Sequence, residues 1–170
     1  EAKYSSANIK IDQFEAHLQE LTKQRYSVLP VTEIMAKLSR GEVLPDRTIG
    51  ITIDDAYASV YTHAWPRLRD AKLPFTLFVA TDPVDRAARG YMSWEKIREL
   101  AKAGVTIGSQ GKSHPNLPTI SLEAVKRELD DSNARFTGEL KARPTLFAYP
   151  YGEFSLDVRD LVAGRGFTAA

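Results

Sequence analysis

The stretch RTIGITIDD, residues 47–55, joins a run of strand-forming residues to two adjacent aspartates. From Thr48 to Ile53 every residue is β-branched or Gly and none is charged, which is typical of a strand covered on both faces. Helical stretches separate this run from similar ones, namely PFTLFVA (74–80), VTIGS (105–109) and TLFAY (145–149). Strands that alternate with helices predict an α/β domain with a mostly parallel sheet.

The segments between these runs have the spacing of amphipathic helices. The clearest is Leu122–Leu140, where apolar residues recur on one helical face and Ser121 stands at the N-cap position. Gly104 is placed to end the preceding helix. The other predicted helices are 11–23, 31–40, 58–71, 94–103 and 155–163.

The length and charge of the chain exclude several classes of protein. Its 170 residues fit a single domain, 1–170, which is large enough to bury a core. With 23 Lys+Arg against 22 Asp+Glu, the chain lacks the excess of cations that an electrostatic nucleic-acid binder needs. The sequence has no apolar run as long as a membrane span. The absence of Cys excludes disulfides, thiolate metal sites and thiol nucleophiles.

Both ends of the sequence indicate a fragment. The chain begins at Glu1 rather than at Met. Its last residues, GFTAA at 166–170, look like the first residues of a strand. We therefore expect the sequence to be part of a longer protein.

Two adjacent carboxylates, Asp54 and Asp55, come directly after the first run. In α/β folds the functional site forms at the carboxyl ends of the strands, so this position points to a site. Like charges so close together destabilise a fold, and a helix-capping role for one of them is the structural alternative. Because neighbouring residues at a strand end diverge in direction, one carboxylate can hold a cation while the other acts on a bound water.

Of the three histidines, His114 lies where a metal ligand is expected. It belongs to the polar loop SQGKSHP, residues 109–115, and imidazole is the commonest metal-binding side chain. Asp and His from different strand ends can meet around one Zn²⁺ or a similar ion. His17 and His63 lie within helical patterns, and we interpret both as surface or structural residues.

A tight turn, YPYG at residues 149–152, follows the last run. Pro and Gly after a strand form turns that can present a backbone N–H to a ligand, although the residues alone favour a turn without any further role. Thr81 and Asp82 hold the equivalent position after the second run, so polar residues follow each predicted strand.

Taken in order, these segments resemble the motifs of one family. TIDDAY (52–57) is similar to T-F-D-D-G-Y, SQGKSHPNL (109–117) to S-H-[ST]-x-x-H-P-x-L, and FAYPYG (147–152) to a motif with the core P-[YF]-G. The intervening PFTLFVA and WEKIREL (94–100) resemble the family's PATFFV strand and its W-x-x-I-R-E-L helix. The family is the polysaccharide deacetylases, also called the NodB-homology family or carbohydrate esterase family 4.

The resemblance implies a fold, a reaction and a cellular location. The fold would be a distorted (β/α) barrel with fewer than eight strands, incomplete in this chain. The reaction would be metal-dependent hydrolysis of N-acetyl groups from an amino-sugar polysaccharide, which releases acetate. Zn²⁺ is the expected metal, with Co²⁺, Ni²⁺ or Mn²⁺ as alternatives. The family's substrates imply a periplasmic, secreted or cell-envelope protein.

Roles carry over to the residues that match the motifs. Asp54 would be the general base, and Asp55 and His114 would bind the metal. The Tyr151 N–H would help to form an oxyanion hole. Together these groups would activate water, accept its proton and stabilise the charge that develops on the acetyl oxygen.

The sequence departs from the family pattern in the second motif. Gln110 stands where the family has its first metal-binding His. An amide oxygen is a weaker ligand than imidazole for borderline-soft metals. Gln110 therefore completes the metal site weakly, another residue or water takes its place, or the site stays empty. Ala56 in place of Gly and Ile53 in place of Phe are tolerable packing changes.

The third motif and the segment after it also depart from the pattern. Tyr149 and Pro150 would border the substrate, but Tyr149 occupies the place where many members carry an Arg near the base. The family's general-acid motif, Leu-x-His, follows the third motif, and no match to it follows Gly152. We therefore expect a truncation at Ala170, with the proton donor beyond it.

Two other functions fit parts of this pattern. A catalytically impaired, deacetylase-like domain that only binds carbohydrate would be consistent with Gln110. A Mg²⁺ site for phosphoryl transfer at Asp54 and Asp55 ranks last, because the chain lacks a phosphate-binding Gly-rich loop or a suitably placed Lys. We expect the partner to be an N-acetylated polysaccharide or oligosaccharide.

Overall fold

The computed structural model describes residues 8–23 and 25–170, and it contains two small parallel sheets. In the first, β1 (Ser27–Val28) pairs with β2 (Thr48–Ile49). The second has the order β3-β4-β5, formed by Thr52–Ile53, Thr76–Val79 and Thr106–Ser109. These parallel strands, separated by helices, confirm the predicted α/β class. The predicted single domain includes residues 1–7 and 24, which lie outside the described residues.

Helices connect and cover the strands. They are α1 (Ile11–Lys23), α2 (Val31–Ser39), α3 (Trp65–Asp70), α4 (Thr81–Asp85), α5 (Trp94–Lys102), α6 (Leu122–Leu140) and α7 (Leu156–Ala163). Helix α6 has the predicted bounds, and the Ser121 side chain caps it by accepting the Ala124 N–H at 3.2 Å. Within the described ranges, no helix is both long and apolar enough to cross a membrane.

The run predicted as one strand, 47–53, is divided between the two sheets. The chain leaves β2 at Gly50 and enters β3 at Thr52. Gly50 packs closely on α2, because a Cβ at this position would lie 2.9 Å from the Val31 side chain and 3.2 Å from that of Ile34. The prediction of one continuous strand was therefore wrong.

The helix predicted over 58–71 is also divided. Residues Val60–Ala64 form a π-helical segment, in which the Trp65 N–H donates to the Val60 carbonyl, and α3 continues from there. Pro66 has no N–H to donate, so the regular ladder of the preceding turn cannot continue through it. Helix α4 was not predicted, since five residues are too few to show a helical period.

The run predicted as a strand over 145–149 makes only isolated bridges. Leu146 pairs with Ala169, and Phe147 pairs with Ser109 at the end of β5. Both bridges are parallel, so this segment extends the second sheet by single residue pairs. The segment 166–170 was expected to begin a strand, and its residue Ala169 forms the bridge with Leu146.

Helix α6 packs against both clusters of the hydrophobic core. Phe136 belongs to the cluster around β4 and contacts the Trp94 ring edge-to-face, with centroids 5.7 Å apart. Leu129 and Val125, about two and three turns earlier, belong to the cluster that contains Phe147. The helix therefore connects the core beneath β4 with the segment that carries the YPYG turn.

Gly108 in β5 is required by the side chain opposite it. It pairs with Phe78 in β4, and a Cβ at Gly108 would overlap the Phe78 ring. We expect Gly108→Ala to lower the free energy of unfolding by about 1–3 kcal/mol, because the packed ring must shift. Urea unfolding measures this change.

The matched control is Gly138→Ala on α6, where the added methyl would meet no atom within 4 Å. Here Ala should raise the free energy of unfolding by about 0.5–1 kcal/mol, since Gly is a poor helix former. Equal effects of the two substitutions would contradict this account of Gly108.

Candidate active site

The turn after β3 holds Asp55 in an unusual backbone conformation. Asp55 and Ala56 have φ angles of 69° and 52°, in the left-handed region that non-glycine residues rarely adopt. Two hydrogen bonds fix this turn: the Asp55 N–H donates to Gln110 Oε1 at 3.2 Å, and the Met92 N–H donates to the Ala56 carbonyl at 2.9 Å. Ala56 is completely buried, which accounts for a small residue at this position.

The loop after β5 brings His114 to this turn. His114 Nε2 lies 3.7 Å from Asp55 Oδ1, and both side chains remain partly open to solvent. His114 also has a left-handed backbone, with φ of 60°. Its ring meets the Tyr151 ring edge-to-face at a centroid distance of 4.9 Å. Residues predicted from three different strand ends therefore meet.

Gln110 links two strand ends from inside the protein. Its side chain is buried, with 3% of its surface exposed. Its carbonyl oxygen accepts the Asp55 N–H, while its own backbone N–H donates to the Val79 carbonyl at 2.9 Å. The amide oxygen is the only side-chain atom of Gln110 that could bind a metal, and one of its two lone pairs holds Asp55.

The YPYG turn exposes Tyr151 beside His114. The Gly152 N–H closes a tight turn by donating to the Tyr149 carbonyl at 2.8 Å, and within this turn Pro150 is buried and Tyr151 has φ of 62°. Within the described residues the Tyr151 N–H makes no hydrogen bond. Tyr149 packs its ring between those of Phe147 and Phe154. The turn thus has a free donor close to the histidine.

The protein around Asp54 disfavours its charged form. Partial burial raises the pKa of the Asp54 carboxyl, and the negative charge of Asp55 raises it further, while His114 acts in the opposite direction. Asp54 as a whole residue is nonetheless exposed to solvent. A carboxylate with a raised pKa binds a proton more readily, as a general base must.

A cleft of about 520 Å³ opens beside the two aspartates. Apolar residues of α1, β3 and the π-helical segment form most of its wall, among them Phe14, Ile53 and Val60. His63 and Arg67 also line it. His17 and His63 are both exposed, as predicted, although His63 belongs to the cleft wall.

Tyr57, in the first motif, is a neighbour of the site to which the sequence analysis assigned no catalytic or metal-binding role. Its ring packs against that of Tyr91 at 4.8 Å, and the Tyr91 hydroxyl lies 3.5 Å from the Tyr57 hydroxyl. This hydrogen bond, then burial, then the charge of Asp55, raise the pKa of Tyr57. Tyr57 is therefore a neutral hydroxyl near Asp55. The sequence signal that could have pointed to Tyr57 was its position two residues after Asp55.

Asp55 and His114 fit a divalent cation as a pair of ligands. Zn²⁺ binds carboxylate oxygen and imidazole nitrogen at about 2.0–2.2 Å, so one ion can lie between atoms that are 3.7 Å apart. Within residues 8–23 and 25–170, no group of three or more His, Cys, Asp or Glu side chains is arranged to hold an ion. A cation here would complete its coordination with water or substrate.

The family of the chain follows from its sequence as well as from this site. Residues 41–170 match the family described as Polysaccharide deacetylase, and the chain therefore belongs to the polysaccharide deacetylase family. Members of this family are hydrolases of amide bonds. The resemblance of the three motifs is thus confirmed over most of the chain.

Two relatives span most of this chain but are themselves longer. YxkH of Bacillus subtilis (strain 168) is 24% identical over 151 residues, which are 89% of this chain and 53% of that protein. The poly-β-1,6-N-acetyl-D-glucosamine N-deacetylase of Staphylococcus aureus (strain N315) is 24% identical, over 94% of this chain and 59% of that protein. The chain thus spans little more than half the length of either relative.

Solved structures confirm the fold. The Streptococcus pyogenes deacetylase PplD, in complex with acetate, has a TM-score of 0.87 and 22% identity over 99% of this chain and 76% of that chain. IcaB from Ammonifex degensii has a TM-score of 0.86 and 25% identity over 98% of this chain and 77% of that chain. The fold is therefore that of the NodB-type deacetylases.

The contact between Gln110 and Asp55 makes a prediction about stability. Gln110→Leu keeps the size of the side chain but leaves the Asp55 N–H without its acceptor, and we expect a loss of about 1–3 kcal/mol in the free energy of unfolding. Gln13→Leu is the matched control, because Gln13 also accepts a backbone N–H, that of Lys10, but at an exposed position. There we expect a change within about 0.5 kcal/mol. Equal losses of stability in the two variants would show that the buried hydrogen bond of Gln110 stabilises the protein no more than the exposed one of Gln13.

The raised pKa of Asp54 predicts how stability depends on pH in protein kept free of metal by a chelator. The native state holds the Asp54 proton more tightly than the unfolded state does, so this residue lowers stability as pH rises above its unfolded pKa of about 3.9. Asp54→Asn removes that effect. Thermal unfolding should show the variant gaining stability relative to the parent protein from pH 3 to pH 7.

The same change at the exposed Asp46 controls for the loss of one negative charge. A variant of Asp54 whose stability relative to the parent protein is constant or falls with pH would contradict the raised pKa.

Proposed function

We propose that this protein hydrolyses N-acetyl groups from an amino-sugar polysaccharide in a metal-dependent reaction that releases acetate. One observation carries the proposal: Asp54 adjoins a pair, Asp55 and His114, whose ligand atoms are 3.7 Å apart, in a chain of the polysaccharide deacetylase family. The name of the S. aureus relative, a poly-β-1,6-N-acetyl-D-glucosamine N-deacetylase, supports an N-acetylated glycan as the substrate.

The proposed metal ligands are Asp55 Oδ1 and His114 Nε2. A carboxylate and an imidazole suit Zn²⁺, with Co²⁺, Ni²⁺ and Mn²⁺ as alternatives. When bound, the cation would polarise the acetyl carbonyl and lower the pKa of a coordinated water. Gln110 would not be a ligand but would hold the ligand Asp55 in place through the backbone N–H.

Asp54 is the proposed general base. It neighbours the ligand Asp55 in sequence, and its raised pKa favours acceptance of a proton from the attacking water. Asp54 lowers the stability of the fold, because a partly buried carboxylate beside a second one is unfavourable. Such a cost is common where the environment of a residue is set by catalysis.

The Tyr151 N–H is the proposed oxyanion donor. It makes no hydrogen bond within the described part of the chain, and the left-handed conformation of Tyr151 is held by the turn around it. One such donor typically stabilises a transition state by about 3 kcal/mol. Tyr149 and Pro150 precede it in the turn and would border the bound acetyl group and sugar.

The proposed substrate also suggests where the protein acts. Poly-β-1,6-N-acetyl-D-glucosamine, named for the S. aureus relative, is a polymer of amino sugar. A protein that acts on such a glycan would work in the periplasm, at the cell envelope or outside the cell.

A second candidate function is a deacetylase-like domain that binds carbohydrate without hydrolysing it. The observation in its favour is Gln110, whose only metal-binding atom accepts the Asp55 N–H. Two protein ligands are fewer than the three that catalytic zinc sites usually have. The two candidates share a glycan ligand and differ in acetate release.

Acetate release from N-acetylglucosamine oligosaccharides and from poly-β-1,6-N-acetyl-D-glucosamine tests the proposal, with and without added Zn²⁺ or Co²⁺. We expect metal-stimulated release that Asp54→Asn lowers by roughly 10²–10⁴-fold, because the proton acceptor is lost. Asp46→Asn, at an exposed position, should retain full activity.

Each result of this experiment has a distinct meaning. Folded protein that binds the glycan but releases no acetate would favour the second candidate. Folded protein that neither binds nor hydrolyses these glycans would overturn both candidates. Activity that persists in Asp54→Asn would remove Asp54 from its role as the base.

A further inference from the structure

Glu128, in the middle of α6, binds the loop that carries His114. Its Oε2 accepts the backbone N–H groups of Lys112 and Ser113, at 3.0 and 2.8 Å. Its Oε1 accepts the Ser113 hydroxyl at 2.6 Å. Two successive N–H groups directed at one carboxylate oxygen form an anion-binding nest, and hydrogen bonds to an ionised acceptor are stronger than neutral ones.

The opposite side of this loop is held by α4. The N–H groups of Thr81 and Asp82 donate to the carbonyls of Gly111 and Lys112, at 3.3 and 2.8 Å. The loop is therefore fixed through its carbonyls on one side and through its N–H groups on the other. Glu128 accepts the N–H groups, and the last of these belongs to Ser113, the residue before His114.

His114 needs such support because of its own backbone. Its φ of 60° is strained for a residue that is not glycine, and such a conformation persists only where the surroundings over-determine it. A loop free to relax would leave this region of φ and move the imidazole away from Asp55. The distance of 3.7 Å between the two side chains thus depends on contacts made before residue 114.

We propose that Glu128 is a positioning residue, which holds the His114 imidazole in place to bind a metal ion together with Asp55. The inference rests on the proposed function, since it assumes that His114 is a ligand. Glu128 itself touches neither the ion nor the substrate. It acts through the backbone of Lys112 and Ser113.

Asp131, one turn further along α6, gives the matched control. It also contacts the loop, but through an exposed ion pair with Lys112 Nζ at 2.7 Å. This contact reaches a flexible side chain and leaves the loop backbone untouched. Asp131→Ala and Glu128→Ala each remove an acidic residue from the same helix face. Only Glu128→Ala removes the acceptor of the Lys112 and Ser113 N–H groups.

Zn²⁺ binding by the full chain, measured by titration calorimetry, tests the proposal. We expect Glu128→Ala to weaken Zn²⁺ affinity by on the order of 10–100-fold and to lower kcat more than it raises KM. Asp131→Ala should bind within about twofold of the parent protein. Glu128→Gln, whose amide oxygen can still accept both N–H groups, should recover most of the affinity. Unchanged affinity in a folded Glu128→Ala variant would overturn the proposal.

Glu128→Asp replaces the alanine variant if that variant fails to fold. The shorter side chain cannot reach both N–H groups from the same helix position, so a several-fold loss of affinity is expected, and unchanged affinity would again overturn the proposal. A merely structural role would lower thermal stability without changing Zn²⁺ affinity in the folded protein.

Hydrogen exchange of the Lys112 and Ser113 amides, measured without metal, separates this proposal from the proposed function. Parent protein that binds no Zn²⁺ would overturn the metal site, while slow exchange that Glu128→Ala accelerates would still support the hold of Glu128 on the loop. Exchange as fast in the parent protein as in the variant would overturn that hold, whatever the metal result.

Discussion

The site depends on three turns that adopt a backbone conformation unfavourable for their residues. Asp55, His114 and Tyr151, each after a different extended segment, have φ angles of 69°, 60° and 62°. Left-handed residues other than glycine cost free energy and persist where other contacts hold them. Buried Gln110 holds the first turn, and Glu128 holds the loop before the second. Backbone hydrogen bonds within the YPYG turn hold the third. The reactive groups meet because the rest of the fold maintains these turns.

Helix α6 provides much of this support. Its apolar residues join the two core clusters, with Phe136 on one side and Leu129 on the other. Glu128, adjacent to Leu129, therefore lies on a helix that packs against both clusters. Ordering its side chain costs rotamer entropy, which its three hydrogen bonds to the loop offset. The same burial that stabilises the fold therefore also orders the loop beside the candidate metal site.

The sequence was sufficient for the class of fold and for most of the candidate site, because both depend on regular patterns. The period of α6 was visible over nineteen residues, and the motif residues followed predicted strands. Two elements that look continuous in the sequence are divided in the structure, one at Gly50 and one before Pro66. The residue pattern does not show which sheet a strand joins, and a π-helical turn has no periodicity that distinguishes it from an α-helix. The contacts of Gln110 and Glu128 could not be predicted, because each depends on which backbone N–H a distant turn leaves available.

The hydrogen bond from Asp55 to Gln110 joins residues 55 positions apart in the chain, so a substitution at position 110 affects the turn at Asp55. An imidazole introduced at position 110 would add a metal-binding nitrogen, but as a ligand it would no longer accept the Asp55 N–H. The backbone around Asp55 would then need a new acceptor or a different turn. Replacing the amide at position 110 by a metal-binding imidazole thus requires a second change, near Asp55, in a separate part of the sequence. In this chain the amide at position 110 secures the geometry of another residue, Asp55, from inside the protein.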